Sequence, residues 1–371
     1  MSHEYPSHSH AHHRVTIDSK EVRLQANHPL LKLRWLSILI GIVSLALLAL
    51  FSRFHARPHV YFSYLTSYMF WLSIALGGLF FVIIQHATRA GWSVVVRRIA
   101  ENAMITLPLF ALLFLPIVFF GMHHLYHWSH AHAVAHDKIL QAKSGYLNPT
   151  FFYIRAAGYF VAWSLLGYQF YRKSLKQDID KDDSHSYGLR RLSAPSIIIF
   201  GLTVTFASFD WLMSLDPHWY STMFGVYFFS GSFVAIIAFL CIVGILLRQS
   251  GKLSDIITAE HYHDLGKLLF AFSVFWTYIA FSQYFLYWYA NIPEETMWFR
   301  HRLHGNWRSL TLILSVCHFV VPFFFLMTRK TKRNLSTLLV AAIWMLAVHF
   351  IDMYWIVMPT FLKAGYEFSL L

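Results

Sequence analysis

FDWLMSLDPHWYSTMFGVYFFSG (209–231) reads as a hairpin between two membrane helices, with Asp216-Pro217-His218 at its turn. Asp210 sits just inside the first of them. A carboxylate at the centre of a bilayer costs about 2.5–3.5 kcal/mol on insertion scales and less towards the rim. Asp210 is therefore expected to face protein or water rather than lipid.

The whole chain carries the same signature. Of 371 residues, 57% are hydrophobic and 13% charged, more apolar surface than a soluble domain of this length needs. The 13 Trp, 20 Tyr and 35 Phe suit a protein with two membrane interfaces, where aromatic rings collect. The expected class is an all-α polytopic membrane protein built as a helical bundle. A net charge of +12 would suggest nucleic acid in a soluble protein. Here the loops account for it, and no nucleic-acid partner is expected. The two cysteines, Cys241 and Cys317, lie inside apolar runs. That excludes a disulfide scaffold, a C-x-x-C-H haem site and a four-cysteine cluster, so no cofactor is held covalently. A redox centre would belong to a partner or be held non-covalently.

Nine runs are long enough to cross ~30 Å of hydrocarbon. They fall near 30–52, 60–85, 102–122, 150–171, 194–214, 219–247, 266–290, 308–327 and 335–358. Of the 30 Lys and Arg, 21 fall on the side of the amino terminus, 8 on the other and Arg155 within a span. The positive-inside rule then places the amino terminus in the cytoplasm. The organisation expected is a cytoplasmic His-rich tail (1–29) without a cleavable signal peptide, a bundle (30–358) and a short outer tail (359–371). The fourth loop, 172–191, reads as a charged, solvated connection.

A rise of ~1.5 Å per residue converts position into depth. Asp210, Gln283 and Asp352 each lie ~24–25 Å beyond the start of an outward-running span. A polar chamber open to the outside is expected, lined by Asp210, Gln283, Tyr287, His349 and Asp352. His318 enters on an inward helix near mid-depth, with His349 at a shallower level. Carboxylate and imidazole exchange protons, so such a chamber suits a proton path. The same groups accept protons from a quinol hydroxyl, with Trp and Tyr packing the ring. Packing between helices is the structural alternative. Arg155, at the start of the fourth span, is expected to snorkel or to pair with an acid.

The segment 121–149 holds six histidines, and His123 and His127 are spaced i, i+4. Without cysteine or a carboxylate pattern, this spacing reads as a partner-docking surface rather than a metal site. His123, His127, Trp128, Asp216 and His218 are its expected members, and no metal ligands are assigned.

Three segments in order carry a resemblance: 127–163 (HW…HDKILQAKSGYLNPTFFYIRAAGYFVAW), the 209–231 hairpin, and 275–302 (FWTYIAFSQYFLYWYANIPEETMWFRHR). Together they resemble the ActF-type membrane subunit of alternative complex III, related to the NrfD-like membrane subunits of polysulfide reductase. The resemblance runs from about residue 30 to 361. It implies a bacterial inner-membrane subunit of a quinol:cytochrome c oxidoreductase. It also implies a sister NrfD-like quinol-oxidising subunit and periplasmic iron–sulfur and multihaem cytochrome c partners, with a terminal oxidase as a further associate. Haems and iron–sulfur clusters would lie on those partners, and a quinone (menaquinone or ubiquinone) on this chain. Members usually have a tenth span, so the carboxyl end is expected to continue. Two other classes fit the residues: a secondary transporter, for which inverted repeats are not evident, and a pure assembly scaffold.

Overall fold

The computed structural model describes residues 29–54, 57–180, 182, 184–253, 256–363 and 365. The expected His-rich tail, apart from Pro29, and most of the carboxyl-terminal tail lie outside them. The long helices are α1 (Pro29–Phe54), α2 (Arg57–Ala87), α3 (Gly91–Leu125), α4 (Pro149–Asp180) and α5 (Ser184–Trp211). They continue with α6 (Phe224–Gln249), α7 (Ala259–Ala290), the short α8 (Pro293–Leu303), α9 (Trp307–Met327) and α10 (Leu335–Val357). No strand occurs among the described residues.

Seven of these, α2, α3, α5, α6, α7, α9 and α10, are long and apolar enough to cross a membrane. The protein is an all-α polytopic membrane protein. The other two expected spans, 30–52 and 150–171, coincide with α1 and α4. In α4 the apolar run is diluted by Arg155 and by Tyr153, Tyr159, Tyr168 and Tyr171.

Alternation of the helices gives the bundle two ends. One, called here the upper end, holds 126–148, 212–223 and 291–306; the lower end holds 88–93, 182 and 328–334. Helices α2 and α6 form the centre, 78% and 72% buried over their apolar windows against 39% or less elsewhere. Gly77 makes that centre possible. A Cβ there would lie 2.4 Å from the Ser232 carbonyl oxygen of α6, so only glycine allows the two backbones to approach this closely. The outer faces of the surrounding helices carry exposed apolar side chains, as lipid contact requires.

The loop expected at 172–191 is mostly helix. Helix α4 runs to Asp180 and α5 begins at Ser184. Side chains bind the lower end together: Gln177 Nε2 donates to Ser186 Oγ at 2.6 Å, and Ser174 donates to buried Glu101 of α3. Glu101 also takes Arg97 and Arg98 at 3.4 and 2.9 Å. Lys, Gln and Leu favour helix once those neighbours give it a face to rest on.

Two π-turns interrupt the helices, Ile117–Gly121 in α3 and Val316–Val320 in α9. Each adjoins a proline, Pro116 and Pro322. Pro322 has no N–H to give the carbonyl of His318, four residues back, so the regular ladder cannot continue there. Such turns often mark functional positions in α-helices.

Candidate functional site

His318 is carried into the bundle interior by the α9 π-turn and is fully buried. There it meets His349 and Asp352 of α10, and ligand atoms of the three residues lie within 4.8 Å of one another. The expectation that His349 lies shallower than His318 is thus corrected. A π-turn and a following proline shift the register of α9, which uniform helical rise does not capture.

Asp352 is completely buried and accepts two hydrogen bonds. Tyr227 of α6 donates its hydroxyl to Oδ1, and the Trp276 indole of α7 donates to Oδ2 at 3.2 Å. The His349 ring faces α2, where its Nε2 lies 2.8 Å from Ser73 Oγ. Since the Ser73 hydroxyl proton goes to the Phe70 carbonyl at 2.6 Å, neutral His349 donates from Nε2. Its Nδ1 is left as a bare acceptor, on the Gly231 side of the ring to which Asp352 Oδ2 also turns. That nitrogen and both His318 ring nitrogens have no hydrogen-bond partner among the described residues. Gly231 supplies the room: a Cβ there would lie 3.0 Å from His349 Cε1 and 3.7 Å from Asp352 Oδ2.

Beside this cluster lies a cavity of about 630 Å³ between α7 and α9. Tyr227 and Trp276 form part of its wall, together with Gln283, Tyr284, Trp298 and Trp355. Tyr278, Phe281, Leu312 and Val316 also line it and are exposed on the outer face of the bundle. The cavity therefore opens sideways, at the level where lipid would lie. Its lining is aromatic and aliphatic, with a few polar groups such as Gln283, Thr277 and Ser315. That is the composition of sites for flat organic ligands.

The single chamber expected from sequence divides in two. Asp352, His349, His318 and Gln283 belong to this region. Asp210 faces α4, where Arg155 Nε and Nη2 hold its two oxygens at 2.8 and 2.9 Å. Tyr159 adds a third donor at 2.8 Å. The Arg155 guanidinium also lies 3.8 Å over the Tyr146 ring and donates to the Tyr146 carbonyl. Asp210 and Arg155 thus form a satisfied internal pair, the pairing expected of Arg155. Equal depth put Asp210 with Asp352, but depth says nothing about which way around the helix a side chain points. Tyr287 stands at the upper end, donating to the Tyr220 carbonyl at 2.7 Å.

A second cationic group frames the upper end of the cavity. Arg302 of α8 is fully buried and makes no ion pair within 4 Å among the described residues. Its guanidinium donates to the Trp355 and Ile356 carbonyls at the end of α10, at 3.2 and 2.6 Å, and to the Trp298 carbonyl at 2.9 Å. It caps the negative end of that helix dipole. The Trp298 ring lies between Arg302, at 3.4 Å, and Trp219 of the hairpin, stacked at 4.5 Å.

The expected docking residues separate as well. Trp128 is buried against Tyr126 and Phe152, so it is part of the core and not of a surface. His123 and His127 are exposed, but the helix ends at Leu125 and the i, i+4 geometry is lost; His123 pairs with Ser129 at 3.0 Å. Asp216 is half-buried. Exposed His218 binds Asp137 at 2.6 Å and holds the Asp137 carboxyl below its ordinary range.

Sequence reasoning assigned no metal ligands, whereas His318, His349 and Asp352 form a set that could hold a cation. Both Asp352 oxygens already accept from Tyr227 and Trp276, which is how a carboxylate is satisfied without a metal. Tyr227, Trp276, Ser73, Tyr159 and Arg302 were not singled out from sequence. Tyr227 lies within the 209–231 stretch, one helical turn before Gly231. No family model matches this chain, and no curated protein matches it.

Proposed function

We propose that this chain is a membrane subunit of a bacterial respiratory quinol:cytochrome c oxidoreductase of the alternative complex III type, and that it binds a quinone head group in the α7–α9 cavity. The amino terminus would be cytoplasmic and the upper end would face the periplasmic partners. Electrons from a quinol would pass to iron–sulfur or haem centres on those partners, and its protons to this chain's buried acid.

One observation carries the reading. A sideways-opening aromatic cavity ends on Tyr227 and Trp276, and both donate directly to Asp352. A lipid-soluble ring enters such a site from the bilayer without crossing water, and the Gln283 amide can hydrogen-bond a ring carbonyl. A proton released in the cavity reaches Asp352 through the Tyr227 hydroxyl and passes to the bare Nδ1 of His349. Arg155–Asp210 would act as a rigid brace in this scheme.

Two measurements test the proposal. The first is gentle detergent purification with subunit mass spectrometry. Multihaem and iron–sulfur proteins should co-purify, and a chain that runs alone would sink the assignment to a complex. The second is quenching of tryptophan fluorescence by short-chain benzoquinone and naphthoquinone analogues. Ala280→Phe fills the cavity and should abolish quenching. If that variant quenched like the parent, the cavity would not be the quinone site.

A further inference from the structure

A second cavity, about 330 Å³, lies at the lower end of the bundle, far along the helices from the quinone pocket. It is bounded by the end of α2, the start of α3 and the start of α5. Gln85, His86, Arg89, Arg97, Ser186 and Arg190 supply its polar lining, and no carboxylate among the described residues contributes. Arg97 is balanced from behind by Glu101. Arg89 and Arg190 make no ion pair among the described residues. Of the described acids at the α4–α5 junction, Asp178 pairs with Arg98, Asp180 with His185, and Asp182 accepts from Ser184. Gln85 Oε1 and His86 Nε2 are buried and have no hydrogen-bond partner among the described residues. Polar atoms removed from water in this way ordinarily find one.

The backbone at this corner points the same way. Helix α2 ends with the Ala90 N–H bonded to the Gln85 carbonyl at 3.0 Å, a pattern that puts Arg89 in the left-handed region at φ 55°. Glycine normally fills that position, and an arginine, which carries a Cβ, is held there against its own preference. Arg89 is part of the cavity wall. Val94 and Tyr187, both apolar and exposed, flank the mouth towards the lipid-facing surface.

We infer that this cavity binds a phosphate group, the phosphodiester of an anionic glycerophospholipid or free phosphate, between Arg89 and Arg190 with His86 Nε2 as a further donor. Arginine forks match phosphate oxygens, and basic pockets between membrane helices hold anionic head groups.

The test uses the full-length protein in detergent. Native mass spectrometry measures binding of phosphatidylglycerol and of phosphatidylcholine, and thermal melts compare sodium phosphate with sodium chloride at equal ionic strength. The variants are Arg190→Gln and Arg89→Gly; the glycine also relieves the positive φ, so it should not impair folding. Phosphatidylglycerol should bind more tightly than phosphatidylcholine, and each variant should weaken it about tenfold, the loss expected for one charge-assisted contact. Stabilisation by phosphate that both variants lose would mark the free anion as a ligand. A response to phosphatidylglycerol alone would mark the lipid. Phosphatidylglycerol binding and phosphate stabilisation that are both the same in parent and double variant would overturn the inference.

Discussion

The Trp276 ring lies flat on the His318 imidazole, with centroids 3.6 Å apart and planes 16° from parallel, while its indole N–H donates to Asp352. One side chain thus walls the cavity, covers one histidine and satisfies the buried acid. Trp276→Phe keeps an aromatic face on His318 and removes the donor. A hydrogen bond to a charged group contributes about 1.5–3 kcal/mol, and stability should fall by about that amount in a detergent-unfolding titration. A loss near zero would mean that Tyr227 alone satisfies Asp352.

Asp210 and Arg155 should behave as a unit. Removing one partner leaves an uncompensated buried charge, so Asp210→Asn or Arg155→Gln is expected to cost about 3–5 kcal/mol. The double variant Asp210→Leu/Arg155→Met should recover most of that loss, because the desolvation cost of both ions disappears. A double-mutant cycle reads the coupling. Quinone quenching in the folded double variant should match the parent, which separates this brace from the Asp352 site.

His301, at the end of α8 and outside the membrane-spanning helices, gives a pH signature. Burial lowers its pKa below the ordinary 6.5, Asp216 opposes the shift, and Arg302, Lys363 and Arg300 reinforce it. A histidine with a lower pKa in the fold than in the unfolded chain resists its own protonation. Stability is therefore full above about pH 6.5 and declines as pH falls through that value. Thermal midpoints should drop between pH 7.5 and 5, over the range where an ordinary histidine titrates. His301→Asn should flatten that slope, and an unchanged slope would assign it to another group.

The hydrophobic runs showed the class and nearly all the long helices, because crossing ~30 Å of hydrocarbon leaves a signal in one dimension. Depth along a helix was legible too, and it brought Asp352, Gln283 and His349 into one region. Angle around the helix was not. Asp210 shares a depth with Asp352, yet it binds α4 because its side chain points there. The His318–His349 contact needed the π-turn, whose trace in sequence is Pro322 four residues later. Arg302 and Trp276 were hidden for another reason. Their partners are a carbonyl at the end of α10 and a carboxylate 76 residues away, and no local pattern announces either.

Gly231 offers the sharpest probe of the cluster, since it lies on α6 opposite the proton-accepting face of His349. An added Cβ would sit 3.0 Å from Cε1 and 3.2 Å from Nδ1 of that ring, tighter than ordinary van der Waals contact. The ring cannot retreat freely, because Ser73 holds Nε2 and Phe70 packs beside it at 5.7 Å. Gly231→Ala should therefore cost about 1–3 kcal/mol as an overpacked core does. It leaves the cavity wall untouched, so quinone quenching should persist. Proton exchange should suffer, because Nδ1 is pushed from the carboxylate. Quinol turnover in the intact complex should fall while analogue affinity stays near that of the parent. Parallel loss of both would mean that the glycine serves packing alone.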